Sequence, residues 1–207
     1  MKKSLKVLIV VLCLIILGLT GFIVWDKVID NKKNGENTNI SNTISQNEDN
    51  DKTKMANEAI RNALKDQNWL KEKGIYTEIN DGVTTWKPEI YIIKIGDNNE
   101  MPVYLVKTHV MDSAYTKIVT YKDGDIYVSK NSVGSDYCDE DVDIEKNIVK
   151  ATSISTGMVT IYKIQDSEFE KIAEYENEDE ANVKYPVESF QIINIKLTND
   201  NIDLYVK

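Results

Sequence analysis

The densest cluster of side chains that could do chemistry is an acidic run over residues 136–145. Its alternating aspartates imitate the first half of a calcium-binding EF-hand loop, and hard cations prefer several carboxylate oxygens. The imitation fails at Ile144, where the loop needs glycine, and at Lys150, where it needs a bidentate glutamate. Alternation of acidic with apolar residues also fits a solvated strand edge, which charge protects from pairing with another strand. We favour the strand edge and keep a weaker candidate cation patch, formed by Asp139, Asp141 and Asp143.

No other set of residues forms a recognisable catalytic motif. His109 is the single histidine, and Cys138 is the only cysteine outside the N-terminal apolar run. The two could pair as base and nucleophile, yet neither lies in a motif that would expose and activate a thiol. Two carboxylates could hydrolyse a glycosidic bond, but no feature of the sequence selects a pair. We therefore predict a non-enzymatic protein without a cofactor, with a cell-wall hydrolase that uses acidic residues as the alternative.

The charge of the chain limits its partners. The 207 residues carry a formal net charge of −9, and because residues 1–33 contain six lysines and two aspartates, residues 34–207 carry about −13. A domain that negative repels nucleic acid and anionic lipid at close range. It could attract divalent cations or basic peptides, although solubility beneath an anionic wall is the simpler explanation. The sequence thus predicts no nucleic-acid partner.

The N-terminal residues predict where the protein resides. An uncharged apolar run of 19 residues, from Val7 to Trp25, follows three lysines, and as a helix it would span about 28 Å, close to the hydrocarbon core of a bilayer. A cleaved signal peptide fits less well, because its apolar stretch is roughly 7–15 residues long and ends in small residues. The basic tail favours a cytoplasmic N-terminus. We predict a cytoplasmic tail over residues 1–6 and a single-pass signal anchor over residues 7–25, in the lipid bilayer of the plasma membrane.

The rest of the chain is predicted to lie outside the membrane. Residues 26–52 are almost entirely polar and predict a disordered tether, which leaves residues 53–207 for an extracytoplasmic α+β domain. Its first element is an amphipathic helix with apolar residues at three- and four-residue spacing from Ala56 to Leu70, ended by Gly74. Beyond Gly74 the apolar period changes to two, which predicts a mostly antiparallel β-meander. The predicted strands are Ile90–Ile95, Val103–Val110, Lys117–Tyr121, Ile126–Ser129, Met158–Ile164, Phe169–Tyr175 and Phe190–Leu197, followed by a short helix over Asn199–Val206 with Thr198 as its N-cap.

Two hairpins are the most specific local predictions. The turn Lys122-Asp123-Gly124-Asp125 joins two alternating segments within Tyr115–Lys130, and Asp-Gly is a strong hairpin signal. The turn Gln165-Asp166-Ser167 does the same within Gly157–Glu176. Together these segments resemble the hairpin pattern of exported, membrane-tethered proteins of low-GC Gram-positive bacteria, and the resemblance implies an envelope location but no activity.

These observations together predict a membrane-anchored envelope protein. Its domain would act as a binding or interaction module that contacts an envelope protein or a wall polymer through its sheet or loops. Nothing in the sequence identifies that ligand.

Overall fold

The computed structural model of the protein describes residues 50–98, 101–136 and 138–207. The domain begins with a helix, α1, over residues 50–65. The predicted tail, the predicted anchor and residues 26–49 of the predicted tether lie outside the described residues. Residues 50–52 are helical, so the domain begins earlier than predicted. Within these described ranges, no helix has both the length and the apolar character needed to cross a membrane.

The predicted single helix is wrong, because Asp66 divides it. Ala56, Ile60 and Leu64 recur every four residues and are buried on one face of α1. Asp66 then adopts extended backbone, and its carboxylate accepts hydrogen bonds from two backbone N–H groups of a second helix, α2, over Gln67–Glu72. This N-cap satisfies donors that a continuous helix would have paired internally. Gly74 follows the C-cap with a φ of +65°, in the left-handed conformation expected after a helix end.

The remaining elements are short helices and thirteen strands within the described residues. Helix α3 covers Glu178–Lys184 and helix α4 covers Ile202–Tyr205, with a single 3₁₀ turn at Val187–Ser189. The strands are β1 Ile79–Asn80, β2 Thr85–Trp86, β3 Glu89–Asn98, β4 Met101–Val110, β5 Ser113–Lys122, β6 Asp125–Val128, β7 Val133–Asp136, β8 Cys138–Asp143, β9 Ile148–Ser153, β10 Val159–Gln165, β11 Glu168–Tyr175, β12 Gln191–Ile192 and β13 Ile195–Lys196.

The strands form two antiparallel sheets rather than one meander. Sheet 1 has the order β13-β3-β4-β5-β6, with β7 also paired to β5, and sheet 2 has the order β11-β10-β9-β8-β12. Each sheet contains four consecutive strands, β3–β6 in the first and β8–β11 in the second. Strands β1 and β2 form a separate ribbon. The predicted α+β class with mostly antiparallel strands is therefore confirmed, and the single meander is wrong.

Side-chain alternation builds three apolar layers around these sheets. On β4, Val103 and Leu105 point between the sheets, where they belong to one core cluster with Val142 of β8 and Val149 of β9. The alternate β4 residues pack with α1, α2 and α4 on the other face of sheet 1. The outer face of sheet 2 packs against α3 through a third cluster around Ile161. The period of two along β4 therefore fixes which residues meet each layer.

Both predicted hairpins are present. Lys122 pairs with Asp125, and the two residues between them, Asp123 and Gly124, have φ values of +53° and +87°. Positive φ at both central residues defines the mirror-image turn that matches the twist of paired strands. The β10–β11 turn is also two residues long, and Asp166 and Ser167 both have positive φ.

The C-terminal prediction is wrong in a specific way. Instead of one strand over Phe190–Leu197, the chain forms β12, which pairs with β8 of sheet 2, and then β13, which pairs with β3 of sheet 1. Ile193 lies between them and is buried in the inter-sheet cluster. The final helix is also shorter than predicted, because its N-cap is Asn201 rather than Thr198.

The fold makes a testable prediction at Tyr104, which is fully buried; its hydroxyl donates a hydrogen bond to Asn57 Oδ1 at 2.7 Å and lies 3.2 Å from the Lys207 carbonyl oxygen. The substitution Tyr104→Phe removes a donor from the buried Asn57 side chain, so we expect the free energy of unfolding to fall by about 1–3 kcal/mol. Urea denaturation of the full chain in detergent measures this change. Tyr162→Phe, at a half-buried tyrosine, is the matched control, and equal losses in both variants would contradict the assigned role.

Candidate functional site

The acidic run forms strand β8, and its alternation sends its side chains to two different environments. Cys138, Glu140 and Val142 face the core between the sheets, whereas the alternate aspartates face the side that carries α3. The strand lies between β9 and β12. The predicted solvated strand edge is therefore wrong, because two neighbouring strands pair with β8 and Glu140 is buried.

The three aspartates of the candidate cation patch have separate surroundings. Asp139 is exposed and stands opposite Thr152. Asp141 lies 3.8 Å from the Lys150 ammonium. Asp143 accepts hydrogen bonds from the backbone N–H and the ammonium of Lys146, at 3.1 and 2.8 Å. In the described part of the chain, no three His, Cys, Asp or Glu side chains are grouped to hold a metal ion. The EF-hand resemblance does not extend to the fold, because the residues pair as a strand instead of forming a loop.

Lys150 lies buried beside these aspartates. Its side chain is only 3% exposed, and its ammonium lies 3.8 Å from Asp141 Oδ2 and 3.4 Å from Glu178 Oε1. The same ammonium lies 5.4 Å from the centre of the Phe190 ring, within range of a cation–π contact. Glu178 belongs to the first turn of α3. Lys150 therefore holds the start of α3 against the outer face of sheet 2.

Next to Lys150 is an open depression of about 490 Å³. Its lining includes four carboxylates from two elements, Asp139 and Asp141 of β8 with Glu178 and Asp179 of α3. The loop after β9 contributes Ile154, whose side chain is 63% exposed. We call this surface the acidic depression.

The acidic depression lies within a strongly charged segment. Residues 136–188 contain 15 acidic residues and five lysines, a net charge of −10. Residues 51–135 contain 12 acidic and 12 basic residues, and residues 189–207 contain two of each. The net negative charge of residues 51–207 is therefore carried by residues 136–188, which include strands β8–β11 and helix α3.

Burial and hydrogen bonding shift the pKa values of two aspartates in opposite directions. Burial raises the pKa of Asp141 above its usual 3.8, and the nearby Lys150 and Lys107 only partly offset this effect. Burial acts in the same sense on Asp143, but hydrogen bonds from Lys146 outweigh it and lower the pKa of that carboxyl. Two carboxylates on one face of one strand thus have different proton affinities.

The other sequence candidates, Cys138 and His109, lie on strands of different sheets. Cys138 is on β8 of sheet 2, where burial and the Glu140 carboxylate raise the pKa of its thiol to about 11. A thiol with that pKa is protonated at neutral pH, which is the opposite of an activated nucleophile. His109 is on β4 of sheet 1, half-buried and paired in register with Glu89 and Ala114.

Sequence reasoning missed an ion pair that lies between the sheets. The Lys107 ammonium on β4 is 2.7 Å from Glu140 Oε2 on β8, and the two side chains are 11% and 0% exposed. Gly134 on β7 makes room for the carboxylate, because a Cβ there would lie 2.0 Å from Glu140 Oε1. The sequence does show a lysine inside the apolar β4 segment, which indicates a buried partner of opposite charge. It does not identify that partner, because Glu140 is distant in sequence.

Comparison of the chain with protein-family models, with curated proteins and with solved structures gives no match. What the surface can do therefore follows from its chemistry alone. Its carboxylates can attract cationic groups. The Lys150 ammonium stands within 4 Å of both Asp141 and Glu178.

The two shifted aspartates predict opposite effects on stability. The folded state holds a proton on Asp141 more tightly than the unfolded state does. Asp141 therefore contributes less to the free energy of unfolding as pH rises from about 3.8 through its raised pKa. The contribution of Asp143 is present above about 3.8 and is lost as pH falls through its lowered pKa.

Urea denaturation of the wild type, Asp141→Asn and Asp143→Asn across this acidic range measures both effects. As pH rises, the unfolding free energy of the wild type should fall relative to Asp141→Asn and rise relative to Asp143→Asn. The same direction in both comparisons would contradict the assigned environments.

Proposed function

We propose that this chain is a single-pass membrane protein whose α+β domain lies outside the cell and binds a cationic partner through the acidic depression. The domain acts as a binding module rather than as an enzyme. The partner is a basic segment of an envelope protein or a cationic group of a wall polymer. The observation that carries the proposal is the segregation of a net charge of −10 into residues 136–188, beside a balanced remainder.

Charge segregation favours binding over simple solubility. A negative charge that served only solubility could be spread over the whole surface, whereas residues 51–135 have no net charge. A one-sided potential steers an oppositely charged partner to one face and speeds its association. The exposed Ile154 beside the carboxylates adds an apolar contact of the kind that interface centres use.

The sequence supports the membrane location. The apolar run from Val7 to Trp25 has the length of a membrane span, and the basic residues before it favour a cytoplasmic N-terminus. Anionic headgroups repel the acidic segment, so we expect the depression to face away from the bilayer. The cell-wall hydrolase stays a prediction, and the Lys150 ammonium between two carboxylates gives no support to it.

Binding of a fluorescent oligolysine peptide to the full chain in detergent tests the proposal. The double substitution Asp139→Asn with Asp179→Asn removes two exposed carboxylates from the depression, and we expect the affinity to fall about two- to thirtyfold, since exposed ion pairs contribute about 0.2–1 kcal/mol each. The measurement is a fluorescence titration at low and at high salt, because salt screens such contacts.

Asp112→Asn with Asp200→Asn is the matched control, since it removes the same charge from exposed positions outside the segment. The control should bind nearly as well as the wild type. Equal losses in the two double variants would show that only net charge matters and would refute a defined surface.

A further inference from the structure

The buried contact between Lys107 and Glu140 joins the two sheets. Lys107 is in the middle of β4, opposite Thr116 of β5, and Glu140 is on β8, opposite Ala151 of β9. The lysine Nζ and the glutamate Oε2 are 2.7 Å apart in a region that water does not reach, since the glutamate side chain is 0% exposed. A lysine and a carboxyl group are thus held together inside an apolar core.

This contact lacks what normally stabilises a buried ion pair. Apart from the Lys107 ammonium, neither oxygen of Glu140 has a hydrogen-bond partner among the described residues, and the buried hydroxyl of Thr116 also has none. Attraction between buried charges offsets their desolvation only when further hydrogen bonds satisfy the remaining lone pairs. The charged form of this pair is therefore poorly stabilised.

The fold nevertheless keeps the two groups in contact. Gly134 of β7 adopts a φ of +103°, and a Cβ at that position would collide with Glu140 Oε1 and with the Ala114 carbonyl, at 2.0 and 2.2 Å. The glutamate is thus confined between the backbone of β7 and the lysine. Confinement of two reactive groups at contact distance is the condition under which effective molarities reach about 10⁵–10⁸ M.

We propose that Lys107 and Glu140 condense to an amide bond that covalently links β4 of sheet 1 to β8 of sheet 2. A proton first passes from the ammonium to the carboxylate, which gives a neutral amine and a neutral carboxylic acid. The Nζ lone pair then attacks Cδ and forms the C–N bond. The carboxyl hydroxyl leaves with a second proton from Nζ as one water molecule. Nζ keeps one hydrogen, both charges disappear, and no oxidant, reductant or co-reactant is needed.

The surroundings favour this product. Burial raises the pKa of Glu140, which favours the neutral acid that the reaction needs. The amide removes two charges from the core, and the exclusion of water opposes hydrolysis. The link would join residues 33 positions apart, constraining the unfolded chain as a disulfide does, in a domain whose one described cysteine, Cys138, is free.

Mass spectrometry of the full chain, purified from membranes in detergent, tests the proposal. The intact protein should be lighter than its sequence by the mass of one water. Trypsin cannot cleave after a modified Lys107, so a digest should contain residues 95–117 joined to residues 131–146, again lighter by one water. Fragmentation should place the junction at Lys107 and Glu140.

Lys107→Arg keeps the positive charge but removes the nucleophilic amine, so this variant should have its full sequence mass. Lys150→Arg is the matched control at another buried lysine near carboxylates, and it should still lose one water.

A wild type of full mass, digested into separate peptides 95–107, 108–117 and 131–146, would overturn the proposal. So would a water loss that persists in Lys107→Arg or a junction at other residues. If Lys107→Arg does not accumulate, the wild-type digest decides alone.

Discussion

The register of β8 determines both the Lys107–Glu140 contact between the sheets and the acidic depression on the outer surface. Because side chains alternate along a strand, a shift by one residue would send Asp139, Asp141 and Asp143 into the core and expose Val142. In the observed register, Val142 fills the core between the sheets and Glu140 reaches Lys107. The alternate aspartates are left for the outer surface. One strand thus supplies the contact between the sheets and half of the carboxylates of the acidic depression.

The domain divides into a neutral part and an acidic part. Sheet 1 has helices α1, α2 and α4 on its outer face and closes that side of the domain with an apolar cluster. Sheet 2 carries only the short helix α3 within the described residues, and there the Lys150 ammonium holds a glutamate of the first turn. The sheet with the smaller apolar cluster on its outer face is thus the one that carries most of the net charge. An acidic surface beside an exposed Ile154 suits a basic partner better than a lipid surface.

Sequence reasoning succeeded where the signals were local. The Asp123-Gly124 turn and the alternating segments beside it correctly predicted the β5–β6 hairpin. The helical spacing of apolar residues correctly predicted the buried face of α1. Sequence reasoning failed at one local break, where the Asp66 side chain caps α2 and interrupts a continuous helical pattern. Its other failures depended on distant residues: β12 and β13 separate because their partners belong to different sheets. Glu140 looked like a solvated acid because Lys107, its partner, lies 33 positions earlier in the chain.

The most direct test of the acidic depression as an interaction surface is site-specific photocrosslinking in intact cells of the native host. A photoreactive residue in place of Ile154, which is 63% exposed at the depression, is compared with one in place of Val83, which is 94% exposed between β1 and β2. An interaction surface at the depression predicts that position 154 captures a reproducible partner with a basic contact segment and that position 83 does not. Capture of no reproducible partner at position 154, or of the same set at both positions, would contradict it.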